Sequence, residues 1–122
     1  MKKKKLLIIE DTSICLEMFD YILNRNRIDV TTAKDGEEGV RKAASLRPDL
    51  IFLDIMLPKM NGYDVAKAIR KDPNLASTPI VALSARAGTD GEKKALEAGC
   101  QEFIYKPFKV PQIQDVLSRF LG

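Results

Sequence analysis

Charged and hydroxyl side chains follow short apolar runs at four places in the sequence. Glu10 and Asp11 come directly after LLII, and Asp54 ends the run LIFLD. Ser84 follows IVAL, and Lys106 follows FIY. Because parallel strands in an open α/β sheet place their ligand sites at their carboxyl ends, we expect these five side chains to share one crevice.

The predicted crevice has the chemistry of a phosphoryl receptor. Three carboxylates repel one another unless a cation compensates their charge, and Mg²⁺ prefers oxygen ligands and completes its sphere with water and phosphate oxygens. Lys106 and Ser84 would supply a positive charge and a hydroxyl donor for the phosphoryl oxygens. Asp54 stands alone on its strand and is the best candidate for the nucleophile that forms an aspartyl phosphate. Phosphoryl transfer depends on alignment and charge neutralisation, so it needs no histidine.

Each of these residues also has a purely structural interpretation. Glu10 and Asp54 could simply end strands, and Asp11, like Thr12 and Ser13 after it, could cap a helix. Ser84 could be a turn hydroxyl and Lys106 a solvated lysine. A coincidence of all five at four strand ends favours the functional interpretation.

The surrounding pattern predicts an α/β fold. Apolar runs indicate five strands, and amphipathic stretches between and after them indicate five helices. Strands are expected near 5–9, 28–33, 49–54, 79–84 and 103–105, and helices near 12–24, 36–46, 63–71, 89–98 and from 111 onward. This alternation predicts one doubly wound, flavodoxin-like parallel sheet of order 2-1-3-4-5, with strand two at an edge.

Details of three helices are also predicted. Ile14, Met18 and Ile22, with Leu16, Phe19 and Leu23 beside them, are expected to form the broad core-facing stripe of the first helix. Asp35 and Glu38 resemble a capping box at the start of the second. The fourth helix has few apolar side chains, chiefly Ala95, Leu96 and Ala98, with Gly99 as its left-handed stop. Such a thin apolar face predicts weak anchoring and easy movement of this helix.

The expected organisation is a single domain covering residues 1–122, without an output domain. The chain has 122 residues, a net charge of +3 and no histidine. The missing histidine excludes Ser-His-Asp triads and zinc sites that contain histidine. Lys2 to Lys5 is expected to be a solvated lead-in to the first strand, so neither nucleic-acid binding nor membrane insertion is expected. Cys15 and Cys100 are expected to pack as small apolar groups in a cytoplasmic protein.

In combination, four segments resemble the receiver domain of two-component response regulators, in particular stand-alone, chemotaxis-regulator-like receivers. They are LIIED at 7–11, PDLIFLDIMLPKMNG at 48–62, PIVALSA at 79–85 and EFIYKPF at 102–108. The resemblance implies that Asp54 is phosphorylated by a histidine kinase or a histidine phosphotransfer protein. It also implies that Glu10 and Asp11 form an acidic pocket for Mg²⁺. Asp11, Asp54 and the backbone carbonyl of Met56 would bind the ion directly, and Glu10 would bind it through water.

Further roles follow from the same resemblance. Ser84 and Lys106 would contact the phosphoryl oxygens, Phe103 would be the aromatic switch residue, and the Lys106–Pro107 bond would be cis. Positions 56 and 86 tune hydrolysis of the acyl phosphate in the family. Neither Met56 nor Arg86 suits an attacking water, so a long-lived phosphorylated state is expected.

The expected function is that of a phosphoacceptor in a signalling pathway, catalysing only its own phosphorylation and dephosphorylation. Phosphorylation would change the surface of helix four, strand five and helix five for an unknown protein partner. A phosphorylation-independent interaction module of the same fold is the alternative. An aspartate-nucleophile phosphatase would have a second acid at position 56, where this chain has Met56. A flavodoxin-like carrier would have a phosphate loop where Glu10 and Asp11 would repel the phosphate of FMN.

Overall fold

A single five-stranded parallel sheet lies at the centre of the fold. The computed structural model describes residues 2–85 and 89–122. The five strands are β1 Lys4–Ile9, β2 Ile28–Ala33, β3 Leu50–Asp54, β4 Ile80–Ser84 and β5 Glu102–Tyr105. Their order is β2-β1-β3-β4-β5, and all four strand pairings are parallel. The predicted topology and the edge position of β2 are therefore confirmed.

Helices cover both faces of the sheet. They are α1 Ser13–Ile22, α2 Gly36–Leu46, α3 Gly62–Arg70, α4 Thr89–Glu97 and α5 Val110–Leu121, with a short 3₁₀ helix at Pro73–Leu75. One core cluster joins the sheet to α2, α3 and α4, and the other joins it to α1 and α5. Every residue of β3 is buried, which explains its unbroken apolar sequence. None of the described helices is long and apolar enough to cross a membrane.

Helix α1 differs from its prediction in which side chains face the core. Cys15 and Phe19 are its buried residues, whereas Ile14 is 74% exposed. A helix advances about 100° per residue, so a buried stripe through Cys15 and Phe19 turns Ile14 away from the sheet. The prediction that Ile14 faces the core was wrong. The helix also ends at Ile22, two residues before the expected position, and Leu23 is buried in extended conformation.

At the starts of α2 and α3, a side chain accepts a hydrogen bond from a free backbone amide of the first turn. The Asp35 carboxylate accepts a hydrogen bond from the Glu38 amide at 2.9 Å, as predicted for an N-cap. The Glu38 carboxylate accepts from the Lys34 amide at 2.7 Å, one residue before the position that a capping box requires. Asn61 caps α3 in the same way, accepting from the Asp64 amide at 3.0 Å.

The apolar face of α4 is thin, as predicted. Ala95 is fully buried and Ala98, just after the helix, is nearly so, but Leu96 is 50% exposed. The expectation that Leu96 packs into the core was therefore wrong. Gly99 has a φ of 109°, which confirms the predicted left-handed stop.

An arginine braces the amino-terminal edge of the sheet. Arg70 donates to the Gly99 carbonyl through Nε and Nη2, at 2.9 and 2.7 Å, and to the Leu75 carbonyl through Nη1 at 2.7 Å. It also donates to Gln101 Oε1, which accepts from the Ile80 amide. One side chain thereby joins α3 to the 3₁₀ turn and to the starts of β4 and β5.

Candidate functional site

The predicted side chains meet at the carboxyl edge of the sheet. Lys106 Nζ forms an ion pair with Glu10 Oε1 and lies 3.3 Å from Asp54 Oδ2. One oxygen from each of Glu10, Asp11 and Asp54 lies within 4.8 Å of the others. Ser84 ends the neighbouring strand, and its carbonyl accepts a hydrogen bond from the Lys106 amide at 2.8 Å. The sheet topology thus brings all five residues to one place.

Asp54 is held at the end of β3 with 3% of its surface exposed. Its Oδ1 accepts a hydrogen bond from the Met56 amide at 2.9 Å. The loop then turns sharply, and the Gly62 amide returns to the Ile55 carbonyl at 2.9 Å. A Cβ on Gly62 would lie 2.4 Å from Ile55 Cα and 2.8 Å from the Asp54 carbonyl oxygen. Position 62 therefore requires glycine for this loop to pass so close to Asp54.

Glu10 is fully buried, and both of its carboxylate oxygens have partners. Oε2 accepts from the amides of Asp11 and Thr12, at 3.0 and 3.2 Å, and from the Thr12 hydroxyl at 3.3 Å. Oε1 pairs with Lys106. The sequence predicted Thr12 only as a possible helix cap, so its contact with Glu10 was missed. Its position two residues after a strand-end acid was the available signal.

The two buried carboxyls have opposite pKa shifts. Burial raises the pKa of Glu10, but hydrogen bonds from Asp54, Cys15 and Lys106 outweigh that effect and lower it to about 2. Burial and the hydrogen bond to Glu10 raise the pKa of Asp54, against the opposing effects of the Met56 amide and Lys106. Of the two carboxyls, Asp54 is therefore the one that takes up a proton more readily.

Lys106 lies between the two carboxyls as a permanently charged group. Burial lowers its pKa, but the hydrogen bond and the charge of Glu10, together with the charge of Asp54, outweigh that effect and raise the pKa. The Lys106–Pro107 bond that follows is cis, as predicted. Lys106 therefore keeps its positive charge at the mouth of the crevice.

The three acids fit a divalent cation. Asp11 is exposed and Glu10 and Asp54 are buried, so the group combines a solvent-facing ligand with two inward ones. Carboxylate oxygens with access to water are the ligands that Mg²⁺ prefers. A cation there would also reduce the repulsion between the carboxylates.

Phe103 and Tyr105 lie side by side on β5. Phe103 is half-buried beside α4, where Gly91 faces its ring. Tyr105 is 42% exposed, and the two ring centroids are 4.9 Å apart in an edge-to-face arrangement. Phe103 is thus the aromatic residue of β5 that touches both the sheet and α4.

The remaining predicted residues have varied surroundings. The Met56 side chain is 48% exposed, beside the crevice. Arg86 lies outside the residues that the structure describes. Cys15 and Cys100 are buried and form no disulfide. Cys15 also hydrogen-bonds Glu10, so it does more than fill space as an apolar group. Burial raises the pKa of the Cys100 thiol to about 11, and burial together with Glu10 raises that of Cys15 to about 12.

An apolar pocket opens next to Lys106. It has a volume of about 260 Å³ and is formed between α1 and the segment that follows β5. Its walls include Ile14, Cys15, Met18, Pro107 and Phe108. The exposed Ile14 therefore forms part of a concave apolar surface beside the crevice.

Comparison with known proteins gives a consistent result. The family model described as the response regulator receiver domain matches residues 6–118. The chain is 30% identical to the polar-differentiation response regulator DivK of Brucella anthropi over 119 residues, covering 98% of this chain and 97% of DivK. It is 37% identical to the transcriptional regulatory protein PhoP of Bacillus subtilis over 90% of this chain. It spans less than half of that longer relative, since the match covers 45% of PhoP.

Solved structures show the same similarity in three dimensions. The receiver domain of a sensor histidine kinase from Pseudomonas aeruginosa has a TM-score of 0.88 and 32% identity, with 99% of each chain covered. That structure has a magnesium ion coordinated in its active-site cleft. A chemotaxis response regulator of Vibrio cholerae has a TM-score of 0.88 and 28% identity, covering 98% of this chain and 99% of that one. By sequence and by structure, this chain belongs to the response regulator receiver domain family of two-component systems.

Proposed function

We propose that Asp54 accepts a phosphoryl group from a histidine kinase or a histidine phosphotransfer protein. Receiver domains are signalling phosphoacceptors and not classical enzymes, and the buried acidic crevice agrees with that role. The observation that carries the proposal is the position of Lys106 Nζ, 3.3 Å from Asp54 Oδ2, within a group of three carboxyls.

The residues of the crevice would have different roles in the transfer of the phosphoryl group. A carboxylate oxygen of Asp54 forms the new bond to phosphorus while the phosphorus–nitrogen bond of the donor breaks, and the donor imidazole leaves with the bonding electrons. Lys106 and the Ser84 hydroxyl bind oxygens of the incoming group. A bound Mg²⁺, held by Asp11, Asp54 and the Met56 carbonyl with Glu10 nearby, would neutralise charge on the phosphoryl oxygens.

The proposal extends to partners and location. The apolar pocket beside Lys106 suits an apolar side chain of the donor protein, close to the atom that accepts the phosphoryl group. The unpaired, buried thiols of Cys15 and Cys100 suit the reducing cytoplasm. Residues 1–122 would act together as one receiver domain.

Output would come from the surface formed by α4, β5 and α5. Phosphorylation adds about two negative charges at Asp54, which attract the Ser84 hydroxyl and Lys106. Phe103 of β5 packs against the core cluster that includes Ala95 of α4. The thin apolar face of α4 allows that helix to shift. A downstream protein would then prefer one of the two states, since equal affinity for both would shift nothing.

Intact mass after incubation with acetyl phosphate tests the central claim. We expect one added phosphoryl group that requires Mg²⁺ and is absent from the Asp54→Ala variant. Asp29→Ala is the matched control, because Asp29 is an exposed aspartate at the other end of the sheet. No adduct on the unaltered chain would reject phosphoacceptance and favour a phosphorylation-independent interaction module. An adduct that persisted in Asp54→Ala would place the acceptor elsewhere.

A further inference from the structure

Thr12 stands at the N-cap of α1, but its hydroxyl does not cap the helix. Its backbone is extended, as at an ordinary N-cap, and it makes no side-chain hydrogen bond to the first turn of α1. Threonine is a favoured N-cap residue because its hydroxyl can accept from a free amide of that turn. Here the hydroxyl instead donates to Glu10 Oε2 at 3.3 Å. The helix forgoes a usual source of stability, and the hydroxyl holds a carboxylate of the crevice.

The other donors to Glu10 Oε2 come from the same short segment. The amides of Asp11 and Thr12 reach that oxygen at 3.0 and 3.2 Å. Together with the hydroxyl they direct three donors at one oxygen of a fully buried side chain. This arrangement turns the opposite oxygen, Oε1, toward Lys106.

We infer that Thr12 is a positioning residue for phosphoryl transfer, acting through Glu10 on Lys106. The Thr12 hydroxyl fixes the orientation of the Glu10 carboxylate, and Glu10 Oε1 holds the Lys106 ammonium 3.3 Å from Asp54 Oδ2. Glu10 then contributes mainly by placing Lys106, because its two oxygens already have donors. The inference rests on the proposed function, since it concerns the residues that would receive the phosphoryl group.

The position of Lys106 matters because its ammonium is a compact charge at the end of a flexible side chain, and it can bind the phosphoryl group only if it is held nearby. Lysine has rotatable bonds throughout its side chain, so an unheld ammonium would sample many positions. Its Nζ has two carboxylate partners here, and its side chain is 16% exposed. Loss of the hydroxyl would leave the amides of Asp11 and Thr12, together with Cys15 and Lys106, as donors to Glu10, and it would loosen the ion pair without removing it.

Two substitutions at position 12 separate the hydroxyl from the shape of the side chain. Thr12→Val keeps the branched shape and both amide donors but removes the hydroxyl, whereas Thr12→Ser retains the hydroxyl. We expect acetyl phosphate to phosphorylate Thr12→Val about three- to tenfold more slowly than the unaltered chain, with Thr12→Ser restoring most of the rate. Thr78→Val, at the opposite end of the sheet, is the control for a general effect of exchanging threonine for valine.

Two further readouts do not depend on phosphorylation. In nuclear magnetic resonance spectra of the metal-free protein labelled with ¹⁵N-lysine, the ammonium protons of Lys106 should exchange with water several-fold faster in Thr12→Val than in Thr12→Ser. The thermal midpoint of Thr12→Val should fall slightly below that of Thr78→Val, because the variant loses a hydrogen bond to a buried carboxylate.

The outcomes distinguish this inference from the proposed function. If the unaltered chain takes up no phosphoryl group, the proposed function fails, and Lys106 exchange alone then decides whether Thr12 positions the lysine. If the unaltered chain is phosphorylated and Thr12→Val matches it in rate and in Lys106 exchange, the positioning role is wrong. A lowered thermal midpoint in Thr12→Val with unchanged Lys106 exchange would show a structural capping role and overturn the inference.

Discussion

Glu10 and Asp54 are both buried carboxyls, but different groups hold them. The Glu10 oxygens receive donors from the 11–12 segment and from Lys106. Asp54 has one amide donor, from Met56, and keeps Oδ2 toward Lys106. Their pKa values move in opposite directions for this reason: the pKa of Glu10 is lowered to about 2, whereas that of Asp54 is raised. The difference suits Glu10 to hold Lys106 in place and Asp54 to react.

At the residue scale, Met56 should set how long a phosphoryl group stays on Asp54. Its side chain is half-exposed beside the crevice, and a thioether is a poor partner for an attacking water. We expect Met56→Asn to shorten the half-life of the phosphorylated chain by about threefold or more, because an amide can hold water near the phosphorus. Loss of the adduct is followed by intact mass after removal of acetyl phosphate.

The control for this substitution is Leu96→Asn. Leu96 is 50% exposed, similar to Met56 at 48%, and lies on α4 away from the carboxyls. Equal half-lives for Met56→Asn and the unaltered chain would show that position 56 does not control hydrolysis here.

Individual residues were predictable from the sequence where their chemistry was unusual for their position. Asp54 after a fully apolar run and Lys106 before a proline stood out because such charges do not belong in a core. Thr12 did not stand out, since its hydroxyl has two common uses and a sequence does not show which partner lies closer. Ile14 was misplaced because the apolar stripe predicted for α1 is broader than the face that packs against β1 and β3, and that face passes through Cys15 and Phe19.

At the element scale, the turn from β3 to α3 places Asp54 by close backbone contact. Gly62→Ala would place a Cβ 2.4 Å from Ile55 Cα, and relief of that contact requires the backbone itself to move. We expect a loss of about 1 to 3 kcal/mol in the free energy of unfolding and slower phosphorylation of Asp54. Urea denaturation and the acetyl phosphate assay measure the two effects.

Gly91→Ala is the matched control for this prediction. Both glycines lie in helices, but a Cβ at position 91 would meet the Phe103 ring and the Tyr63 hydroxyl at ordinary contact distances of 3.6 Å. Alanine favours a helix over glycine, so this control should unfold at the same or a higher urea concentration. A stability of Gly62→Ala equal to that of Gly91→Ala would contradict the proposed constraint at position 62.

The elements themselves were largely predictable, and their ends less so. Continuous apolar runs identified the buried strands, and all five strands were found within one or two residues of their expected bounds. The end of α1 was missed because Leu23 is buried without being helical, so burial continued after the helix had stopped. The 3₁₀ turn at Pro73–Leu75 was not predicted from the sequence, although Leu75 is buried and its carbonyl accepts a hydrogen bond from Arg70.

At the scale of the whole molecule, phosphorylation should change a surface well away from the crevice. Comparison of amide spectra with and without beryllofluoride, a phosphoryl mimic, in the presence of Mg²⁺ should show shifts along α4, β5 and α5. The amino-terminal edge near Lys4 and Ile28 should change little, because β1 and β2 are paired there and lie far from α4. The Asp54→Ala variant should show no such shifts, and shifts confined to the crevice in the unaltered chain would reject the two-state switch.

Topology was the most predictable property of the molecule. Alternating strands and helices of this length allow few arrangements, and right-handed crossovers reduce them further. The order of the strands then decides which side chains meet, so the crevice followed once the order was assumed. The strand order does not determine which donors each side chain accepts from. Glu10 Oε2 is an example, since it accepts from both the Asp11 amide and the Thr12 hydroxyl.

The hydrogen bonds from Arg70 fix the segment after the carboxyl end of α4, so the helix can pivot about that end. Its carboxyl end is tied through Gly99, where Arg70 places two hydrogen bonds on one carbonyl, while Ala95 provides the main buried contact along its length. The helix is nine residues long, or about 13 Å at the usual rise per residue. A rotation of about 10° around the tied end would displace the opposite end by about 2 Å over that length. A displacement that starts beside Ser84 would therefore be largest at the amino end of α4 and would decrease toward Gly99, at the end of the sheet farthest from Asp54.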